Sequence, residues 1–193
     1  MARTKEASRA AIVAAAFRVL RKKGLAGTTV EAVAREARCA KGLVHYHFKT
    51  KTRLLAAVAE DLGATRREEW IAALSAADAK AAIQNSWALL SREARDGTLK
   101  AWSALAFSGE LTGQTVKREA ERFAAALSEA LGSFLRTLDL DPTVPVSEMG
   151  GLLAAVVHGV GLELQAGGDS AHLEAIYAAA WLGLLALSRP AAV

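Results

Sequence analysis

The fold of this chain is decided by residues 28–51, TTVEAVAREARCAKGLVHYHFKTK. Thr28 and Glu31 have the spacing of a capping box, in which each side chain bonds the backbone amide of the other residue, so a short helix is predicted to begin at Thr28. After a turn of three residues, a second helical stretch at 41–48 has room for two turns only. Two short helices joined by a tight turn form a helix-turn-helix, which places its second helix in the major groove of DNA.

Regular helices are predicted on both sides of this motif. In residues 8–23 the apolar side chains recur at spacings of three and four, which is typical of an amphipathic helix, and Gly24 would end it. On the other side, Thr50 is a predicted N-cap for a helix over 51–74. This long helix would join the motif to the rest of the chain.

The chain divides into an N-terminal helix-turn-helix domain, residues 1–50, and a second helical domain, residues 51–193. Asp78 and Ser170 are possible N-caps in the second domain, and no stretch shows the alternation typical of a strand. The sequence is 52% hydrophobic with only 3 prolines and 6% aromatic residues, which also favours helices. The predicted fold class is all-α with about nine helices, the last five near 78–95, 98–109, 113–138, 146–166 and 170–188.

Charge is unevenly distributed along the chain. Residues 1–55 hold thirteen Lys and Arg against three Glu, a net charge of +10, whereas the remainder holds eleven against seventeen acidic residues, a net charge of −6. A basic head on an acidic body suits a DNA-binding protein, because neutralisation of phosphates supplies most of the non-specific affinity. A solvated basic face is the alternative interpretation.

The sequence favours a protein of the cytoplasm. No segment has the length and apolar character needed to cross a membrane, and none has the pattern of a signal peptide. The single cysteine, Cys39, excludes a disulfide within the chain and is interpreted as a small packed apolar residue. We therefore expect a cytoplasmic, nucleoid-associated protein.

Residues 11–55 resemble the DNA-binding domain of the TetR family of transcriptional regulators. The resemblance is carried above all by 29–37, TVEAVAREA, and by 41–51, KGLVHYHFKTK. It implies a homodimeric regulator in which the second, helical domain dimerises and binds a small molecule. It also implies a repressor that blocks transcription at a palindromic operator until the ligand releases it.

The same resemblance implies which residues contact DNA. Lys41 would donate to a guanine, and Leu43 would offer apolar contact to a thymine methyl. Tyr46 and Lys51 would contact phosphates, while the hydroxyl of a threonine at the start of the first motif helix would meet another. The full set implied in this way is Thr28, Thr29, Arg38, Lys41, Gly42, Leu43, His45, Tyr46 and Lys51.

The turn of the motif departs from the family pattern. Arg38, Cys39 and Ala40 stand where the family often has glycine, a small aliphatic residue and serine or threonine. Without glycine, Arg38 is predicted to adopt a left-handed conformation at a cost of about 1 kcal/mol, and Ala40 removes a side-chain cap of similar value. A phosphate contact by Arg38 would offset part of this cost.

The last two predicted helices carry more apolar surface than one small domain needs. The resemblance implies that they pair with the same helices of a second copy in a four-helix bundle, and a closed monomeric core is the alternative. The predicted interface residues are Val156, Val160, Leu164, Ile176, Tyr177, Trp181 and Leu184.

A cavity among the fourth to eighth helices is expected to bind the ligand. Because ligand pockets are mostly apolar with few polar groups, aromatic residues with His158 and Glu163 as polar anchors are the candidates, and the ligand would be largely apolar. Ordinary core packing is the alternative for each of them. The predicted lining residues are Trp70, Trp87, Trp102, Phe107, Phe123, His158 and Glu163.

No motif of an enzyme, a cofactor or a metal site is found in the sequence. There is no nucleophile triad and no glycine-rich phosphate loop, and His158 and Glu163 are five residues apart, which misses the same-face spacing of a helix. We therefore expect a DNA-binding regulator that is not an enzyme. The alternative is a helical ligand carrier or protein-interaction module without specific operator binding.

Overall fold

The computed structural model describes residues 2–76 and 78–191, with side chains from Arg9 onwards, and in these ranges the chain forms nine helices and two short strands. The prediction of an all-α fold is confirmed. The helices are α1 (Ala2–Gly27), α2 (Val30–Glu36), α3 (Lys41–Phe48), α4 (Lys51–Leu74), α5 (Ala79–Arg95), α6 (Thr98–Ala106), α7 (Glu110–Thr137), α8 (Val146–Gln165) and α9 (Ser170–Ala186).

The two strands were not predicted from the sequence, and some helix ends differ from the prediction: α1 begins at Ala2, α6 ends at Ala106 and α7 begins at Glu110. β1 (Leu140–Pro142) pairs antiparallel with β2 (Ser188–Pro190), with Asp141 opposite Arg189. The last helix was predicted to continue to residue 188, but it ends at Ala186 because the chain turns there into β2. Each strand has three residues, too few for a period-2 pattern to stand out in the sequence.

The packing of the helices groups the chain into two compact units. The first unit comprises the chain up to Ala64 together with Asp96–Glu119, and the second comprises Thr65–Arg95 together with the chain from Ala120. In the first unit α6 packs against α1, so it lies with the helix-turn-helix although it follows it by some fifty residues. Arg21 supports this contact, because its guanidinium lies 3.9 Å from Asp96.

The core of the first unit is formed by the predicted apolar face of α1. Its five apolar positions are at most 3% exposed, and they are Ile12, Ala15, Ala16, Val19 and Leu20. Gly24 has φ 66° and ψ −174°, so the helical backbone is interrupted where the sequence predicted its end. A positive φ is cheap only for glycine, which explains this residue at the break.

The core of the second unit contains paired aromatic rings from three helices. Trp87 and Tyr177 lie with their ring centroids 5.7 Å apart, and Phe134 meets Trp181 edge to face at 6.2 Å. The hydroxyl of Tyr177 donates to Ser86 at 2.9 Å, so this buried polar atom is satisfied. These contacts fix α9 against α5 and α7.

The helix caps follow local hydrogen bonding. Asp78 accepts from the amide of Ala81 at 2.8 Å, and Thr50 accepts from the amide of Arg53 at 3.2 Å, so both predicted caps are confirmed. Ser170 is not a cap, because the carboxylate of Asp169 accepts from Ala171 at 3.0 Å and Ser170 is already helical.

Within residues 2–76 and 78–191, no helix combines the length and apolar character that crossing a membrane requires.

Candidate functional site

The first helix of the motif begins one residue later than predicted. Thr29 is the N-cap of α2, and its hydroxyl accepts from the amide of Ala32 at 3.1 Å. Thr28 is 1% exposed, and its hydroxyl donates to the carbonyl of Gly24 at 2.7 Å. The capping box at Thr28 was therefore wrong, and the buried side chain of Thr28 has no surface to offer a phosphate, whereas that of Thr29 is exposed.

The turn between α2 and α3 has the backbone that the sequence predicted. Arg38 adopts φ 52°, in the left-handed region, and its side chain is exposed. Ala40 is the N-cap of α3 and makes no side-chain cap, so the first amides of α3 lack the usual hydroxyl partner. An anion placed at this helix start would meet those amides.

α3 has one face in the core and one face open. Val44 is 1% and Phe48 is 4% exposed, so both side chains belong to the core. The open face carries Lys41, Gly42, His45 and Tyr46, which are exposed, with Leu43 half-buried beside them. The structure therefore brings five of the predicted DNA-binding residues together on one short helix.

Gly42 is exposed where the protein itself has no need of glycine. A Cβ built at Gly42 would meet nothing within 4 Å, and Gly42 does not have a positive φ. Since glycine costs about 1 kcal/mol relative to alanine inside a helix, its presence here favours a close approach of something outside the chain. A duplex lying against α3 would supply that constraint.

Basic residues surround this open face, and two of them were missed by the sequence analysis. Lys49 and Arg53 are exposed at the end of α3 and the start of α4, and the ammonium of Lys49 lies 5.4 Å from the ring centroid of Tyr46. The net charge of the segment was the available signal for them. Lys51 is half-buried, and its Nζ donates to the carbonyl of Leu25 at 2.9 Å, leaving two of its three N–H groups for another acceptor.

An ion pair holds α2 against α1. The guanidinium of Arg18 donates to Glu36 at 2.7 Å, and this hydrogen bond, with the nearby charge of Lys22, holds the pKa of Glu36 below its usual value. Both side chains are partly exposed, so the pair contributes little to stability. Its consequence is positional, because it joins the C-terminal end of α2 to α1.

The predicted ligand-binding residues do not form one site. Trp102 and Phe107 belong to the first unit, where Trp102 is buried and Phe107 is 89% exposed. Glu163 is exposed on α8, while Trp87 packs against Tyr177. The remaining three, Trp70, Phe123 and His158, lie together in the second unit.

These three residues surround a buried ion pair. The guanidinium of Arg66 donates from Nε and Nη2 to the two carboxylate oxygens of Glu93, each at 2.9 Å, and both residues are at most 2% exposed. Trp70 donates to the same carboxylate at 3.3 Å, and Phe123 lies 4.9 Å beneath the guanidinium carbon. The polar groups therefore satisfy one another within the core, as a buried pair requires.

His158 borders this cluster as a neutral imidazole. Its ring lies 5.9 Å from that of Phe123, and burial together with the charge of Arg66 lowers the pKa of His158 to about 4. Its Nε2 is buried and has no hydrogen-bond partner within the described chain.

No group of three or more His, Cys, Asp or Glu side chains in the described ranges is arranged to hold a metal ion.

The apolar surface of α8 and α9 differs from the predicted one. Val160, Tyr177, Trp181 and Leu184 are at most 6% exposed, so they belong to the core of the unit and have no surface left for a second copy to bury. Val156 and Leu164 are half-buried, and Ile176 is 43% exposed. The apolar side chains that do face outwards are Leu152 (47%), Leu162 (62%), Ile176 and Leu182 (65%).

Comparison with known proteins agrees with this geometry. Residues 12–58 match the family described as bacterial regulatory proteins, tetR family. A TetR-family transcriptional regulator from Mesorhizobium loti is 20% identical, with a TM-score of 0.78 over 95% of this chain and 98% of that one. One from Rhodococcus sp. is 18% identical, with a TM-score of 0.77 over 92% of this chain and 98% of that one. No curated protein matches the sequence.

A third solved structure is that of the transcriptional regulator FadR from Bacillus subtilis in complex with stearoyl-CoA. It is 16% identical, with a TM-score of 0.67 over 91% of this chain and 96% of that one. The shared fold covers nearly the whole chain, and the match at 12–58 lies on the helix-turn-helix. Residues 12–58 therefore match the TetR-family DNA-binding segment, and the chain as a whole shares the fold of solved TetR-family regulators.

Proposed function

We propose that this regulator is a repressor that binds operator DNA as a homodimer and releases it when a small molecule binds the second unit. The observation that carries the DNA-binding part is the open face of α3, where Lys41, Gly42, His45 and Tyr46 are exposed within the family-matched segment. These side chains offer donors for base edges and phosphates, and glycine permits close approach.

Two further features support DNA contact beside α3. Thr29, Arg38, Lys49 and Arg53 are exposed around the helix, and Thr29 stands at the start of α2, where amides favour a phosphate. Lys51 would donate its remaining N–H groups to the phosphate backbone of DNA while it keeps its hydrogen bond to the carbonyl of Leu25. Phosphate contacts fix the register on the duplex, and the residues of α3 would then read the bases.

The exposed apolar side chains of α8 and α9 support a homodimer through these helices. Leu152, Leu162, Ile176 and Leu182 are too many large apolar groups for one pair of helices to leave in water. Gly151, Gly159 and Gly183 have nothing within 4 Å of a Cβ position, so a second copy could approach closely. Two copies would also supply two recognition helices, as a palindromic operator requires.

Release of the operator by a ligand is supported by one of the solved structures. The FadR structure shares this fold and holds stearoyl-CoA, which supports a ligand-binding second unit. A ligand changes operator affinity only if it binds the two conformations of the repressor with different affinity. The repressor would therefore be released by a molecule that prefers the conformation in which α3 of each copy no longer fits its half-site.

The test of DNA binding is a gel-shift titration with duplexes from upstream of the protein's own gene and its neighbours, with scrambled duplex as competitor. Lys41→Ala and Tyr46→Ala are expected to weaken specific binding by about 1–3 kcal/mol each. Lys80→Ala is the matched control, since Lys80 is an exposed lysine on α5. A folded dimer that shifts no duplex specifically would favour the helical carrier or interaction module instead.

A further inference from the structure

The second unit contains a groove that the proposed function has not used. It has a volume of about 440 Å³ and lies between the C-terminal end of α4 and the C-terminal half of α7. The space exists because α7 presents Ala126, Ala130 and Ser133 there, which share one face of the helix and are all small. The volume lies in the range of small-molecule pockets, and none of the sequence-predicted ligand residues lines it.

The floor and one wall of the groove are apolar. Leu74 and Phe134 are 2% and 3% exposed, and Phe134 is held in place by Trp181. Ile71 forms the wall on α4 and is 40% exposed, so part of its apolar surface stays in contact with water. A molecule with an apolar tail would remove that surface from water and gain the corresponding hydrophobic free energy.

Two hydroxyl groups of the groove present hydrogen-bond acceptors to it. The hydroxyl of Ser75 donates to the carbonyl of Ile71 at 2.8 Å, and that of Thr137 donates to the carbonyl of Phe134 at 2.7 Å. Both hydroxyls have therefore spent their donor and present lone pairs to the groove. Glu129 is the one charged residue among the described lining residues, and no described residue forms an ion pair with it.

We propose that this groove binds a small amphiphilic monocation, with its ammonium head at Glu129 and its apolar tail on Ile71, Leu74 and Phe134. An ammonium group has three donors and no acceptor, which complements these lone pairs and the carboxylate of Glu129, whereas a carboxylate head would be repelled by Glu129. The second unit, with eight Lys and Arg against twelve Asp and Glu, also attracts cations. This inference rests on the proposed ligand response and names its site and ligand class.

The test uses three probes with the same tail and different heads: octylammonium, octanol and octanoate. Calorimetric titration of the full chain is expected to give the tightest binding for octylammonium, weaker binding for octanol and none for octanoate. Because Glu129 is exposed, Glu129→Gln should weaken octylammonium by about three- to fivefold and leave octanol unchanged. Glu121→Gln is the matched control, an exposed acid on the same helix outside the groove.

A second variant tests the position of the tail. Ser133→Phe would fill the groove, so both octylammonium and octanol should lose their binding while the thermal midpoint of the protein stays within a few degrees. Equal binding of octanoate and octylammonium, or an equal loss in Glu121→Gln and Glu129→Gln, would overturn the proposal. So would octylammonium binding that Ser133→Phe leaves intact.

The same titrations separate this site from the proposed function. Octylammonium that binds in a Glu129-dependent way but leaves the operator complex intact in a gel shift would support the site and contradict its use in release. Operator binding by a protein that binds none of the three probes would overturn the site and leave the DNA-binding proposal standing.

Discussion

The helix-turn-helix and the second unit place their informative residues in opposite ways. On α3 the residues proposed to act are exposed, namely Lys41, Gly42, His45 and Tyr46, and the core needs only Val44 and Phe48. In the second unit most residues that looked functional in the sequence are buried, and the open groove is lined by small and ordinary ones. A DNA-binding surface on one short helix can therefore be predicted from a local sequence pattern. A small-molecule site between two helices depends on which helix faces pack together.

The largest loss of stability is expected when the buried ion pair of Arg66 and Glu93 is broken. Arg66→Ala should lower the free energy of unfolding by about 3–5 kcal/mol, because it leaves the charge of Glu93 in the core without its partner. Replacing both residues by methionine should restore most of that loss. Urea unfolding followed by tryptophan fluorescence measures both variants.

An exposed ion pair of the same unit is the control for Arg66. Arg92 and Glu69 lie 2.6 Å apart with side chains 49% and 38% exposed, so Arg92→Ala should cost less than about 1 kcal/mol. Equal losses for Arg66→Ala and Arg92→Ala would contradict the role given to burial.

The next effect is a dependence of stability on pH that belongs to His158. The pKa of His158 is lowered to about 4 in the folded protein, so between pH 6.5 and 4 the unfolded chain takes up a proton that the folded chain does not. Stability should therefore fall as the pH decreases through this range. His158→Gln is expected to remove about 2 kcal/mol of that fall, after allowance for partial exposure.

The measurement for His158 is urea unfolding at pH 7 and at pH 4.5. His172 is an exposed histidine on α9, and His172→Gln should leave the difference between the two pH values as it is in the parent protein. A parent protein whose stability is the same at both pH values would disprove the assignment to His158.

A smaller effect is expected in the turn of the motif. Arg38→Gly should raise the free energy of unfolding by about 1 kcal/mol, because glycine adopts the observed φ of 52° without strain. If Arg38 contacts a phosphate, the same variant should bind the operator more weakly and with a lower salt dependence. Thermal unfolding and gel shifts at two salt concentrations measure the two effects, and a loss of stability would contradict the strain.

The smallest effect is expected at Gly42, where one substitution should stabilise the protein and weaken its binding to the operator. Gly42→Ala should raise the free energy of unfolding by somewhat under 1 kcal/mol, since nothing lies within 4 Å of the added Cβ and alanine favours the helix. Operator binding should weaken if α3 approaches the duplex closely at this residue. Equal or tighter operator binding by the variant would mean that no such approach occurs.

Much of the first unit could be predicted from the sequence because its signals are local. The buried face of α1, the break at Gly24, the cap at Thr50 and the left-handed Arg38 each depend on residues within one or two turns. The cap of α2 was misplaced by one residue because Thr28 and Thr29 are equally good caps, and only the bond from Thr28 to Gly24 distinguishes them.

The helices, their approximate ends, the helix-turn-helix and the basic charge around it can be predicted from the sequence, because hydrogen bonds and side-chain spacing within a helix are set by neighbouring residues. Which apolar residues of α8 and α9 face outwards depends on tertiary packing. α9 is apolar on nearly every side, so the spacing of its apolar residues does not show which face is buried. The pairing of Arg66 with Glu93 and the groove beside Glu129 were likewise decided by how separate helices pack, which no local pattern specifies.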